Sequence, residues 1–375
     1  MKILIVGHAY LSLINREKWA AYKKQFPHDE VTVVTPCEWN DALFSLKNEL
    51  DSDGYIHLPI AHSGNEVLHR YAWTDVWRVM RSVSPDVLLV EQGDNAFSYF
   101  QWIVVSLLQF RNIPRIFFTW VNWKHPWGWR YRFFWWPIEI FNRFFSRAAI
   151  VGNPEAQELL REKNFTGPVL VSPQLGVSLE HLAEHAKLTD VARPKVIGFV
   201  GRLAQEKGVS LLLEAFAQIA DRFPEWSLCV VGSGRERDAL VALTHALHIH
   251  EKVVFTGSVD HYRAVQLIQS FDVFVLPSLD TPTWKEQFGH VIIEAMMAGV
   301  PVVGSDAGAI AWVIGDAGLV FPQKSVTALR DALCNYMSHE EVRVLYGARG
   351  LTRVKELYSH DVIARNIGNF LHSLV

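Results

Sequence analysis

Cysteine is scarce in this chain, and neither sign of charge is in excess. Cys37, Cys229 and Cys334 lie far apart with no metal-type spacing. That argues against a disulfide framework and fits a reducing cytoplasm. No apolar run reaches the roughly 18 residues a membrane span needs. The nearest, FQWIVVSLLQF (100–110), carries two Gln and a Ser and reads as a buried helix. The opening MKILIVGHAY is too short in apolar residues for a signal peptide and reads as a first buried strand. A formal net charge of −3 points to no polyanionic partner. No D-x-D pattern and no carboxylate/His cluster of metal type is present, so no metal site is expected. Low-complexity tracts and short repeats are absent too.

What is there is a globular composition, half of it hydrophobic, over 375 residues. That is more than one core usually spans, so two domains are expected. Short β-branched runs alternate with helical-period segments. In the first half these runs are 3–7, 31–35, 55–60, 86–91, 115–120, 148–152 and 169–173; in the second they are 195–201, 227–232, 252–257, 272–278 and 300–305. Continuous apolar strands separated by helices imply parallel sheets buried on both faces. Two such series imply two doubly wound α/β domains. The polar stretch SLEHLAEHAKLTDVARP (178–194) reads as the linker. Domains are therefore expected at 1–185 and 186–355. The helical tail 356–375 is expected to cross back to the first domain. Ligands of such sheets bind beyond the carboxyl ends of the strands, in a cleft between the two domains.

Chemistry-bearing residues do fall just after strands. In VGRLAQEKGVSLLLEAF (200–216), Arg202 stands at a strand end, and Lys207 and Gly208 open an amphipathic helix. A planar guanidinium and a mobile ammonium at that turn can converge on one anion, and a diphosphate is the right size. The competing reading is two solvated surface cations. VVGSGRERDAL (230–240) is a second strand–loop–helix in which Gly232 and Gly234 allow a tight turn. It lacks the Gly-Lys-Ser/Thr of a phosphate-cradling loop and the third glycine of a dinucleotide fingerprint.

The stretch KEQFGHVIIEAMMAGVPVVGSDAG (285–308) places Glu286 in a loop and Glu294 inside a helix, beside Ile293 and Met297. A partly desolvated carboxylate needs donors, and sugar hydroxyls are good ones. Backbone N–H groups at Phe288, Gly289 and His290 point out of the helix N-terminus and suit an anionic or hydroxyl-bearing ligand.

The E-x7-E spacing, the Phe-Gly after the first Glu and the E-A-M-x-x-G-x-P-V-V continuation resemble the retaining glycosyltransferases of family 4, glycosyl transferases group 1. The resemblance runs through GRLAQEKGVSLLLEAF, VVGSGRERDAL, VVFTGSVDHYRAVQLIQSFDVFVLPS (253–278) and AGLVF (317–321), and so covers the second half. It implies the GT-B fold: two Rossmann-like domains facing a cleft, acceptor side first and donor side second. It implies that Glu286 contacts hydroxyls of a donor hexose and that Glu294 holds the nucleotide's ribose. Arg202 and Lys207 would bind the diphosphate, and the 288–290 backbone the sugar or phosphates. Gly232, Gly234, Arg235 and Phe255 would border the base. Transfer would retain anomeric configuration, use no metal and need no cofactor beyond the nucleotide-sugar donor. The acceptor would be a glycan or a lipid-linked acceptor, in a setting such as polysaccharide or glycolipid assembly.

The first half departs from that family. VGHAYLSLIN carries the single Gly7 where members often have a glycine-rich loop. His8 beside it is open to two readings, a donor to phosphate or acceptor and a structural side chain. Asn122 stands where many members have a His. EQGDNAFSYF (91–100) resembles acceptor-side loops, which makes Glu91, Asp94 and Asn95 cleft candidates.

From Ile113 to Arg147 the chain is aromatic and basic. Trp120, Trp123, Trp127, Trp129, Trp135 and Trp136 accompany Arg115, Lys124, Arg130, Arg132, Arg143 and Arg147, against Glu139 alone. Trp at membrane interfaces and cations at anionic lipid suggest a monotopic contact at the inner face of a membrane. The competing reading packs the aromatics into the core with the arginines reaching out. Nucleic acid is not expected, since no basic stripe extends beyond the segment. At the level of function, the alternative to an active transferase is a non-catalytic, donor-binding partner of another glycosyltransferase. An epimerase finds no support in the E-x7-E region, and a dehydrogenase lacks the glycine fingerprint.

Overall fold

The computed structural model describes residues 1–40, 45–47, 54–109, 112–124, 128–179 and 195–375. Most of the stretch read as a linker, 178–194, lies outside these, as do His125 and Trp127. The chain divides into two units, Met1–Leu175 with His360–Val375, and Gly176–Ser359.

The first unit is built on a seven-stranded parallel sheet. Its order is Val169–Val171, Ala148–Val151, Arg115–Thr119, Val87–Val90, Lys2–Val6, Glu30–Pro36, Tyr55–Leu58. These are the seven runs read as strands in the first half. Alternation along each strand sorts side chains to two faces, and both faces are covered. Leu4, Val6, Leu88, Val90, Phe117, Ala149 and Val151 pack in one cluster with Tyr99, Trp102 and Ile103 of the helix Phe97–Gln109. Ile3, Ile5, Val33, Val87, Leu89, Ile116 and Phe118 pack in another with Trp19 and Tyr22 of the helix Leu13–Gln25. Ile363, Ala364, Ile367 and Leu371 of the C-terminal helix His360–His372 complete this second cluster. Burying those last side chains stabilises the unit by about 5–9 kcal/mol in transfer terms, an upper estimate.

The second unit holds a six-stranded parallel sheet in the order Val253–Gly257, Trp226–Val231, Lys195–Val200, Val273–Leu276, Val302–Ser305, Gly318–Phe321. Five of these match the runs read from the sequence. The sixth, GLVF, is short, and only Phe321 of it is buried, so it carries little strand signal of its own.

In the first unit the aromatic segment forms the helices Trp129–Phe134 and Trp136–Phe145. The core reading fails for much of it. Trp129, Phe133, Phe134, Trp136 and Phe144 are 56–78% exposed. Phe141 and Phe145 pack inward against the core. Not every cation reaches out: Arg115 donates from Nε to the Phe145 carbonyl at 2.7 Å, and Arg143 is buried in an ion-pair box. There Arg143 NH1 lies 2.8 Å from Asp94 Oδ2 and 2.6 Å from Glu139 Oε1, and Lys163 Nζ lies 3.3 Å and 2.6 Å from the same two oxygens. Burial alone would raise the Asp94 pKa; Lys163 and Arg143 outweigh it and hold the carboxyl below its ordinary value. The box ties the second aromatic helix to the loop after the strand Val87–Val90. Among the described residues no helix is long and apolar enough to cross a membrane.

Candidate active site

In a parallel sheet every strand ends on the same edge. In the second unit, the loops after Val200, Val231, Gly257, Leu276 and Ser305 therefore share one rim. Arg202, Lys207, Gly232, Gly234, Arg235 and Glu286 all lie in these loops. Phe255, half-buried, lies within the strand Val253–Gly257.

Close backbone approach draws the loops together. Gly208 sits at φ +65°, and a Cβ there would stand 2.0 Å from the Pro277 carbonyl oxygen. Only glycine lets the turn carrying Lys207 close on the end of the neighbouring strand. The Leu279 N–H donates to the Glu206 carbonyl at 2.8 Å across that approach. Gly232 and Gly234 act likewise at the adjacent strand, where their loop closes on the backbone of Gly201 and Leu203. Ser233 Oγ lies 2.6 Å from Ser258 Oγ, which links the loop to the end of the Phe255 strand.

Three charged clusters result. In the first, Lys207 Nζ donates to Glu286 Oε2 at 2.7 Å, and Ser278 Oγ donates to the same oxygen at 2.9 Å. The ammonium also lies over the Trp284 ring, 4.7 Å from its centroid. Glu286 is buried, and its carbonyl accepts from the Ala309 N–H at 2.9 Å, which fixes the loop. In the second, Arg202 NH2 lies 2.6 Å from Glu206 Oε1 and Arg235 NH2 3.8 Å from Glu206 Oε2. Arg202 and Arg235 are exposed, so a ligand can reach both guanidinium groups.

The third cluster surrounds Glu294, buried in the helix His290–Met297. His290 Nδ1 lies 3.2 Å from Glu294 Oε1, and His290 Nε2 lies 3.1 Å from the Gly176 carbonyl oxygen. Both partners are acceptors, so the ring bonds both only when doubly protonated. Burial opposes that charge, but the Glu294 carboxylate and the Gly176 carbonyl outweigh it, and the His290 pKa is raised. His261 Nδ1 adds a more distant partner at 3.8 Å. Glu294 thus has histidine donors of its own. Phe288 contributes packing: its ring is buried edge-on to Tyr358, with centroids 5.6 Å apart. Gly289, at φ +77°, caps the helix start.

The acceptor-side candidates of the first unit mostly face inward. Glu91 accepts from Lys18 Nζ at 2.7 Å and Gln174 Nε2 at 3.0 Å, and from the Tyr10 hydroxyl, with all of these buried. Asp94 belongs to the ion-pair box. Asn122 is buried and donates from Nδ2 to Glu155 Oε2 at 2.9 Å. Gly7 leaves room for the Tyr10 ring. His8 stacks on Trp39 with centroids 4.3 Å apart, and its Nε2 lies 3.5 Å from Glu66 Oε1. Asn95 is half-buried beside Gly93.

Ser278, Trp284, Glu206 and His261 were not singled out in the sequence. Only Trp284, two residues before Glu286, carried a usable signal. Among the described residues no His/Cys/Asp/Glu group is arranged to hold a metal ion.

Residues 182–352 match the sequence model of the glycosyl transferases group 1. The chain is 31% identical over 224 residues to the phosphatidyl-myo-inositol mannosyltransferase of Mycobacterium leprae, a match spanning 58% of each protein. It therefore covers little more than half the length of that relative. Anabaena HepE, solved with UDP, superposes at a TM-score of 0.71 with 18% identity over the whole of both chains. Sucrose-phosphate synthase of Thermosynechococcus elongatus does so at 0.69 with 20% identity, over 100% of this chain and 99% of that one. At such identities the likeness speaks for the fold alone, two doubly wound units of the GT-B type. Residues 182–352 thus match the glycosyl transferases group 1, and the fold is of the GT-B type.

Proposed function

We propose that the protein transfers a hexose, with retention, from a nucleoside-diphosphate sugar to a glycan or lipid-linked acceptor. The observation that carries this is the Lys207–Glu286 pair, buried at the strand-end rim. It joins a cation suited to a diphosphate and a carboxylate suited to sugar hydroxyls. As the bond from the anomeric carbon to the diphosphate breaks, negative charge grows on the departing phosphate oxygen. Lys207 and Arg202 stabilise that charge without reorganising. The acceptor oxygen bonds to the anomeric carbon, and its proton passes to the departing phosphate. Glu286 orients the hexose, and Glu294 with His290 holds the ribose. Fixed cations supply the charge here, so this reading assigns no role to a metal ion. A mannosyltransferase relative acting on phosphatidyl-myo-inositol supports a lipid-linked acceptor.

The exposed Trp and Phe side chains of 129–144 support a second element of this reading, a peripheral contact with the inner face of a membrane. Sedimentation with anionic liposomes at low salt tests it, and no binding there ends it.

The first experiment is thermal stabilisation by UDP, GDP, ADP and dTDP with EDTA present. A ligand at 100 times its dissociation constant adds about 2.7 kcal/mol of stability. Stabilisation by one of them names the donor class. Nucleotide-sugar turnover then separates the enzyme from a non-catalytic donor-binding partner, which binds and does not turn over. No stabilisation by any nucleotide overturns the donor site.

A further inference from the structure

On the helix Trp73–Val83 in the first unit, Val76, Val79 and Met80 face the core. Trp73 and Trp77, at i, i+4 spacing, flank that buried stripe yet stay 45% and 41% exposed, beside the outward polar face of Thr74, Arg78 and Arg81. With Thr74, Arg78, Arg81 and Ser82 they line a shallow groove of about 640 Å³. On the neighbouring helix Leu108 is 68% exposed, and Gln109 Nε2 donates to the Trp77 carbonyl at 3.3 Å, which fixes the two helices together.

A run of ring contacts joins this groove to the aromatic helices. Trp73 meets Phe100 edge-on at 6.5 Å, Phe100 meets Phe141 at 4.9 Å, and Phe97 meets Trp135 at 6.3 Å. The aromatic helices are apolar outward. In their segment Arg115 and Arg143 turn inward, Lys124 pairs with Glu162 at 2.8 Å, and Arg147 is exposed. The groove adds further exposed cations. Arg81 is exposed, and the exposed Arg78 guanidinium pairs with Asp75 at 3.0 Å.

We propose that the Trp73–Ser82 groove is a docking site for anionic phospholipid, with Arg78 and Arg81 on the headgroup phosphate and Trp73 and Trp77 among the upper acyl carbons. This rests on the membrane reading above and assigns its charge-selective element to a different helix. Two Trp at helical spacing with two Arg beside them match the order of a bilayer surface, in which acyl boundary and phosphate lie a few Å apart.

The test is partitioning of the full chain onto vesicles of phosphatidylcholine alone and of phosphatidylcholine with phosphatidylglycerol, at low salt. Arg78→Gln with Arg81→Gln is expected to weaken partitioning onto the anionic vesicles about thirtyfold and leave the neutral vesicles unaffected. Trp73→Ser with Trp77→Ser is expected to weaken both about tenfold. Arg78 and Arg81 are exposed, so their variant should keep the wild-type melting temperature; Trp73 and Trp77 are partly covered, so the melting temperature of their variant is measured alongside and partitioning is compared below it. If both pairs bind like wild type while Phe133→Ser with Phe144→Ser loses binding, the groove proposal is overturned and the membrane reading stands. If the wild-type chain binds neither vesicle, both fall together.

Discussion

Lys207 and Glu286 lie far apart in sequence, yet their charged atoms are 2.7 Å apart. In the proposed function, the ammonium that would bind a diphosphate is held beforehand by the carboxylate that would bind a sugar. Removing either partner leaves the other without its counter-charge at a largely buried site. Glu286→Gln is expected to lower turnover by about 100-fold or more while nucleotide affinity changes little. Lys207→Ala is expected to weaken nucleotide-diphosphate affinity by about 10–100-fold, since a charge-assisted contact is lost. Steady-state kinetics and titration calorimetry separate the two, and an unchanged affinity in the lysine variant would contradict its role.

The Trp284 ring also lies against the Lys207 ammonium, with its centroid 4.7 Å away. Trp284→Ala removes a cation–π contact of about 0.5–2 kcal/mol. Diphosphate affinity should fall by a few-fold, and Trp284→Phe should recover some of it. Equal losses in both variants would point to a steric role instead.

Glu206 engages Arg202 and reaches toward Arg235. A diphosphate has to displace that carboxylate. Glu206→Gln is expected to tighten nucleotide binding by about threefold to tenfold at low salt, with the gain shrinking as salt screens the site. Weaker binding in this variant would mean that Glu206 orients Arg202 for the ligand.

His290 gives a pH signature. Its pKa is raised in the folded chain by Glu294 and the Gly176 carbonyl acting against burial. A raised pKa means that the stabilisation is fully present below the unfolded value of about 6.5. It is lost as pH rises through the folded value. Thermal melts across that window should show wild type losing more stability than His290→Gln. Parallel curves would remove the His290–Glu294 pair from the account.

Asp94 runs the other way. Its pKa is held down by Lys163 and Arg143, so its contribution is present above the ordinary carboxylate range and is lost on acidification through its folded value. Asp94→Asn leaves two partly buried cations with Glu139 alone and is expected to cost about 2–4 kcal/mol in urea unfolding. A loss under 1 kcal/mol would show that Glu139 suffices.

The sheets were legible because parallel strands buried on both faces leave an unbroken apolar record, as in KVIGFV and VFVL. GLVF was not, because half-exposed residues record nothing. That Arg202, Lys207, Gly232, Gly234, Arg235 and Glu286 share one rim was legible because it is local: each follows its strand by a few positions. Glu91 and Asp94 show the limit. Their places after the strand Val87–Val90 were plain, but not the partners that neutralise them. Lys18, Gln174, Arg143 and Lys163 come from distant regions of the chain, and no local pattern announces a buried ion pair. The aromatic segment misled for a related reason. Its cations were counted as one field, whereas the fold turns Arg115 and Arg143 inward.

The C-terminal helix His360–His372 supplies Ile363, Ile367 and Leu371 to a core begun by Ile3 and Ile5. On the ribosome these two halves emerge at opposite ends of synthesis, with all of Gly176–Ser359 made between them. At about 5–20 residues per second the wait is on the order of 10–40 s. Through that interval the nascent first unit keeps part of one face of its sheet open, so the second unit, contiguous in the chain, is free to finish folding before the first.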